Sequence, residues 1–264
     1  MSGKPVIFTL NQIQEPHSSY GSFDLACGVH IQGQRHHTVD VTEITGNEED
    51  ILASDNITVA RKFSMLITNC VQKIGPYSDR AVVTAAVLAM TTTDRIQSLF
   101  RIRCVSVGKE LPFEDACPNC NKEAMWTQNL EEIAIRPLAD LDTRNFELEL
   151  PSRKTVSWHI MCGADDERIA KLSDPLSKST LSVLARIDLL NGKPATLADI
   201  KKLGVADMDA LRQEFRSREG GVDTTMELEC PYCSHAYTKE LDILSSGFFY
   251  PSAMLKAWRK KLSS

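Results

Sequence analysis

Two short turns constrain this chain more than any other feature: Cys117-Pro118-Asn119-Cys120 and Cys230-Pro231-Tyr232-Cys233. A CxxC turn sets two thiolates on one side of a metal, and two such turns complete a tetrahedral Cys₄ site. Zinc suits such a site, because its d¹⁰ shell imposes no geometry and thiolate sulfur is soft. More than 100 residues separate the pairs, so the ligands must come from distant parts of the fold. Redox chemistry is an alternative, since Cys-Pro-Tyr-Cys is also a glutaredoxin tetrapeptide. A thioredoxin-type fold, however, needs a βαβ pattern and more chain than the 31 residues after Cys233. Structural disulfides suit small secreted chains. Two mixed sites completed by His235 and by carboxylates such as Glu114 are a less economical option. The remaining cysteines, Cys27, Cys70, Cys104 and Cys162, read as buried apolar residues.

The chain also repeats itself. Thr38-Val39-Asp40-Val41 and Gly46 match Thr155-Val156-Ser157-Trp158 and Gly163 at an offset of 117. The acid triplets Glu48-Glu49-Asp50 and Asp165-Asp166-Glu167 keep that offset. Asp94, Ile96, Phe100, Arg101 and Arg103 match Asp209, Leu211, Phe215, Arg216 and Arg218 at 115, and the CxxC turns match at 113. Shared order at near-constant offset points to a tandem duplication, with each copy supplying half of one metal site.

Alternation predicts hairpins over 27–32/37–45 and 146–150/154–161. Val59, Phe63, Leu66, Ile67, Cys70, Val71 and Ile74 form a helical stripe, predicting a helix over 57–74 stopped by Gly75-Pro76. Further helices are expected over 79–90, 93–104, 165–172, 178–190 and 206–217. The acid triplets open helices, where carboxylates complement the helix dipole. The class is α+β: a tandem duplication of a hairpin/helices/CxxC module, joined by a Cys₄ zinc site. The divisions are an N-terminal arm (1–26), a first repeat (27–137), a second repeat (138–246) and an aromatic-basic tail (247–264).

No residue set points to an enzyme. GxxxxGK[ST], GxSxG, HExxH and a Gly-rich dinucleotide fingerprint are all missing from the sequence. The zinc-deaminase H-x-E is missing too, and four thiolates leave a metal no open position. The arginines of Phe100-Arg101-Ile102-Arg103 and Phe215-Arg216-Ser217-Arg218 could bind phosphate or a partner's carboxylate. The preferred reading is a helix-end cation with an internal salt bridge. A net charge of −5 argues against nonspecific nucleic-acid binding. The longest near-apolar run, Ala81 to Met90, is about half a membrane span. The opening MSGKPVIFTL has no signal-peptide core, so a soluble protein made in a reducing cytoplasm is expected.

The C-terminal stretch reads Gly247-Phe248-Phe249-Tyr250-Pro251, then a short helix over 252–262. Met254, Leu255, Trp258 and Leu262 form its apolar face, and Lys256, Arg259, Lys260 and Lys261 its basic one. Either some of these rings reach a partner, or the tail straps over the core with all of them buried. Phe248, Phe249, Tyr250 and Trp258 are the candidate partner interface.

Three segments carry a family resemblance. They are Gly46-Asn47-Glu48-Glu49-Asp50-Ile51-Leu52, Asp94-Arg95…Phe100-Arg101…Gly108 leading to Cys117-Pro118-Asn119-Cys120, and Cys230-Pro231-Tyr232-Cys233…Leu241-Asp242…Phe248-Phe249. The chain resembles the zinc-containing baseplate proteins of contractile-tailed (T-even-type) bacteriophages. Segment 165–205 shows no motif of that family. The resemblance implies a non-enzymatic baseplate component located in the virion, present in several copies and bound to hub, tube or wedge proteins. It implies neither a membrane nor a specific nucleic-acid partner. The alternatives are a tail assembly chaperone that leaves before maturation, and a zinc-ribbon nucleic-acid module.

Overall fold

The computed structural model describes residues 20–172, 177–243 and 246–249. Strands β1 (Tyr20–Ile31) and β2 (Gln34–Thr42) form an antiparallel hairpin. Its turn residues, Gln32 and Gly33, both have positive φ, the two-residue turn that matches strand twist. Leu25, Cys27, Val29 and Ile31 sit at every second position and are buried. Helices α1 (Gly46–Ala53) and α2 (Val59–Cys70) follow, then β3 (Val71–Ile74), which pairs antiparallel with β2. Next come α3 (Arg80–Ala89), α4 (Thr92–Val107) and the hairpin β4 (Glu110–Ala116)/β5 (Glu123–Asn129).

The same order then recurs. Hairpin β7 (Asn145–Glu149)/β8 (Thr155–His159) follows the short β6 (Ile135–Arg136). Helices α5 (Gly163–Ala170) and α6 (Lys178–Leu184) lead to β9 (Ile187–Leu190), which pairs antiparallel with β8. A short β10 (Lys193–Pro194), α7 (Leu197–Lys201) and α8 (Val205–Arg218) come next. Strand β11 (Gly221–Val222) pairs back onto β6. Hairpin β12 (Thr225–Glu229)/β13 (Ala236–Glu240) and α9 (Ser246–Phe249) close the described chain.

The class is mixed α+β, but several boundaries differ from expectation. The helix expected over 57–74 ends at Cys70, and the one over 178–190 ends at Leu184. In both places the chain becomes a third strand instead. Beside the open edge of β2, Val71 and Ile74 can be buried while their backbone satisfies the sheet. Strand β1 starts at Tyr20, so the end of the presumed N-terminal arm belongs to the first sheet.

Two buried clusters form. The first holds Val39, Val41, Leu66, Ile67, Met90 and Leu99 from the first half. It also holds Met226, Leu228, Leu241, Phe248 and Phe249 from the end of the chain. The second is built mostly from the second half, around Val156, Trp158, Leu181, Leu211 and Phe215, with Cys27 of β1 added to it. Hairpin β12/β13, from the end of the chain, therefore packs with the first core.

A polar seam joins the halves. Thr91 and Cys162 form a β-bridge, and Gly163 N donates to Met90 O at 3.1 Å. Arg95, 4% exposed, donates to Ser64 Oγ (3.0 Å) and Val87 O (3.2 Å) and pairs with Asp166 (3.5 Å). Arg61 pairs with Glu167 at 3.2 Å. A buried ion left without its partner costs several kcal/mol, so this complete set of contacts is what makes a buried guanidinium tolerable.

Candidate metal centre

Each CxxC turn is the tip of an antiparallel hairpin, and the two tips have the same backbone. Strand pairing ends at Ala116↔Glu123 in one and Glu229↔Ala236 in the other. Cys117 N donates to Lys122 O (3.0 Å) and Asn121 N to Cys117 O (2.9 Å). Their counterparts are Cys230 N to His235 O (3.0 Å) and Ser234 N to Cys230 O (2.9 Å). Asn121 and Ser234 both have positive φ, 56° and 55°. This left-handed residue folds the chain back under the second cysteine of each turn, a position where Asn is better tolerated than most non-glycine residues.

The tips meet. Cys117 Sγ lies 3.7 Å from Cys233 Sγ, and Cys120 Sγ lies 3.7 Å from Cys230 Sγ. All four sulfurs fall within 4.8 Å of one another. A tetrahedral ion with Zn–S bonds of about 2.3 Å spaces its sulfurs about 3.8 Å apart. The four expected ligands are thus brought together at the separation one metal needs. Among the described residues this is the one such cluster, and neither His235 nor Glu114 belongs to it.

The thiols are electrostatically unequal. Cys233 is pulled down to about 6, chiefly by the hydrogen bond from the Asn119 side chain (Nδ2–Sγ 3.6 Å) and then by the His235 backbone N–H. The Lys122 backbone N–H also lowers Cys120, but desolvation and the neighbouring thiols outweigh it and push the group up to about 11. Four thiolates packed this closely repel one another, and a divalent cation removes that repulsion.

Polar and aromatic contacts hold the hairpins in register. Lys239 pairs with Asp115 across them. Tyr237 packs edge-on against the buried Trp126, with ring centroids 6.4 Å apart. Burial, then Asp115, pushes the Tyr237 phenol up to about 12. Lys122 Nζ lies 5.1 Å from the Tyr232 ring centre. The sequence reading missed these supports. Tyr237 and Lys239 share one face of β13 by period-two spacing, but nothing in the sequence showed which hairpin that face meets.

Phe248 and Phe249, expected at a partner contact, are 1% and 2% exposed, so the strapped-tail arrangement is the one observed for these two rings. Phe248 lies 5.6 Å from Phe100, and its carbonyl accepts from Arg103 Nε at 2.8 Å. Tyr250 and Trp258 lie outside the described residues. Arg103 forms no salt bridge among the described residues, and burial closes it to a phosphate. It is fully buried and spends its donors on the carbonyls of Gly108, Glu110 and Phe248.

The acid triplets do open helices. Thr45 with Glu48, and Cys162 with Asp165, form capping boxes. Cys162 is therefore not simply an apolar filler: its thiol donates to Asp165 at 3.2 Å. Cys27 and Cys70 are buried, and burial pushes the Cys70 thiol up to about 12.

The helix match at offset 115 shifts in the structure. Asp94 sits three residues after the cap of α4, and Asp207 holds the same position in α8, whereas Asp209 is exposed. Both buried carboxylates accept a backbone N–H from the first hairpin of their half, Asp94 from Cys27 in β1 (2.8 Å) and Asp207 from Ser152 in the β7/β8 turn (3.0 Å). Their offset is 113, that of the CxxC turns.

No helix among the described residues is long and apolar enough to cross a membrane. No curated protein and no solved structure matches the chain. A family model does: that of the T4 bacteriophage base plate protein, over residues 30–249. The match runs from the end of β1 through the seam and all four cysteines, and the chain belongs to this base plate protein family.

Proposed function

We propose that the chain is a non-enzymatic structural subunit of the phage tail base plate, its two halves locked by one zinc ion on Cys117, Cys120, Cys230 and Cys233. The observation that carries this reading is the convergence of two distant CxxC turns into one tetrahedron-sized cluster, within a chain of the base plate family. Base plates belong to the virion tail, and contacts with other tail proteins go with membership. Four thiolates saturate zinc, so the ion would crosslink the hairpins and leave no position for substrate. Such a site contributes directly to folding, because the ligands are gathered only in the folded chain.

We also infer that the halves arose by tandem duplication. Support comes from the recurring element order, the paired capping boxes at offset 117 and the identical CxxC backbones at offset 113. In this reading the metal joins two copies of one module, each contributing one CxxC turn.

Mass spectrometry of purified phage tails tests the role. A structural subunit is found in stoichiometric amount with the other tail proteins. An assembly chaperone is present in infected cells and missing from mature tails. Salt-dependent binding to duplex DNA by the isolated protein would favour the zinc-ribbon alternative.

A further inference from the structure

Three of the four arginines in the paired Phe-Arg-x-Arg segments have fixed intramolecular work. Arg101 pairs with Glu131 (3.3 Å), Arg218 with Glu214 (3.1 Å), and Arg103 is buried among carbonyls. Arg216 differs. Its Nε donates to Arg212 O at 3.1 Å, and its side chain lines a cleft of about 350 Å³ between α6 and α8. Arg186, Arg212, Ser179 and Ser182 line the same cleft, with Phe215 beside them. Its carboxylate, Glu219, is already held by Arg186 through two bonds of 2.7 and 2.9 Å. Arg212 Nη2 donates to Ser179 Oγ at 2.9 Å, which aims the guanidinium along the cleft. Neither Arg212 nor Arg216 forms an ion pair with a carboxylate among the described residues, and both are exposed. Three guanidiniums thus face one engaged carboxylate, on a protein whose net charge is −5.

We propose that this cleft docks an acidic segment of a neighbouring base plate protein, whose Asp or Glu carboxylates enter between Arg212 and Arg216. The proposal rests on reading the chain as an assembling subunit. Guanidinium forks match carboxylates bidentately, and two of them converging on one cleft select an anion. The size and lining favour side chains over a nucleic-acid backbone. Arg186 already stacks over Phe215, its Cζ 5.3 Å from the ring centre, which gives the cleft an apolar wall beside its charge. A duplex needs a row of cations tracking its phosphates and a basic surface around them, whereas this is one pocket on an acidic protein. The chain's own C-terminal stretch is a poor occupant, because Lys256, Arg259, Lys260 and Lys261 would meet like charge.

The test is fluorescence anisotropy with a labelled oligoglutamate peptide and the full-length, metal-loaded protein. Binding should be saturable, and it should weaken roughly tenfold or more in Arg212→Gln/Arg216→Gln, the loss expected for removing charge-assisted hydrogen bonds. Arg101→Gln, which alters an exposed arginine of the first module, should bind as wild type. Circular dichroism and metal content show that the variants are folded, and Arg216→Gln alone provides a milder second variant. Equal binding by wild type and the double variant overturns the proposal, and so does preferential displacement of the peptide by inorganic phosphate or duplex DNA. Tail incorporation separates the two claims. Wild-type protein missing from tails overturns the structural-subunit reading whatever the peptide does. Protein present in tails, with peptide binding insensitive to the arginines, overturns the cleft alone.

Discussion

Helices α1 and α5 occupy the same place in the two modules and start with the same device, yet their acids do different work. In α1, Glu48 closes the capping box and takes a hydrogen bond from Asn69 (3.0 Å), while Glu49 and Asp50 face solvent. In α5, Asp165 closes the box, and Asp166 and Glu167 reach across the seam to Arg95 and Arg61. The asymmetry extends to the hairpins. Hairpins β4/β5 and β12/β13 both contribute to the first cluster, so the first core supports both halves of the cysteine cluster. Exchange runs both ways, since Cys27 of β1 packs in the second cluster, but the larger transfer is to the first. Matching positions can therefore be inert in one half and structural in the other.

The largest effect should come from the guanidinium at the seam. Arg95→Ala leaves Asp166 half-buried without its cation and strips the Val87 carbonyl and Ser64 of a donor. A loss of about 3–5 kcal/mol is expected, against a total of about 5–15 for a typical domain. Met208, four residues after the cap of α8 as Arg95 is of α4, is only partly buried. Met208→Ala should cost far less, about 1 kcal/mol. Urea unfolding of both variants measures the difference, and equal losses would erase the asymmetry.

A pair of glycine substitutions sharpens the same contrast. Gly46 and Gly163 each begin a helix at equivalent places. A Cβ on Gly46 meets nothing within 4 Å, and one on Gly163 meets the Arg95 guanidinium, with Cζ at 2.7 Å. Gly46→Ala should be neutral or stabilise by up to about 1 kcal/mol. Gly163→Ala should destabilise by about 1–3 kcal/mol, since Arg95 is held on several sides. Thermal melts of the two proteins should shift in opposite directions or, at the least, by clearly different amounts.

The smallest expected effect is a pH dependence confined to the second module. His159 Nε2 lies 2.9 Å from Asp165 and Nδ1 2.9 Å from Asp188, so the protonated ring can donate to both carboxylates. The hydrogen bond to Asp165, only partly offset by burial, raises its pKa. Burial opposes ionisation of Asp165, but hydrogen bonds from His159, Arg168 and the Cys162 thiol outweigh it and hold the carboxyl well below the usual range. The stabilisation from His159 is therefore complete below the free-histidine value of about 6.5 and fades as pH rises through the higher folded value. Amide exchange in α5 should quicken over that interval beyond the intrinsic pH effect, and His159→Gln should flatten the response. Helix α1, whose Glu48 is matched by the uncharged Asn69, should show no such step.

Much of this was legible in the sequence. The CxxC spacing, the offset series and the acid triplets marked the cysteine cluster, the repeated element order and two helix starts. The third strand of each sheet was not legible, for the same reason twice: Val71–Ile74 and Ile187–Leu190 continue an apolar helical stripe, and periodicity alone cannot separate a short buried strand from a helix end. Asn191-Gly192, a dipeptide suited to a tight hairpin turn, follows β9 with both residues at positive φ, but the expected helix over 178–190 passed over it. The burial of Phe248 and Phe249 was not legible, because it depends on Arg103, whose buried donors anchor the carbonyl of Phe248. Arg103 reads like any helix-end cation until the chain brings that carbonyl to it.

The central claim is that each module supplies half of one metal site. Metal analysis by plasma mass spectrometry tests it on protein purified without added zinc, alongside Cys117→Ser/Cys120→Ser and Cys230→Ser/Cys233→Ser. The account predicts about one zinc per wild-type chain and almost none in either double variant, because two thiolates alone do not make a closed tetrahedral site. Two metals per wild-type chain, a disulfide within either pair, or a double variant that keeps its zinc would contradict it.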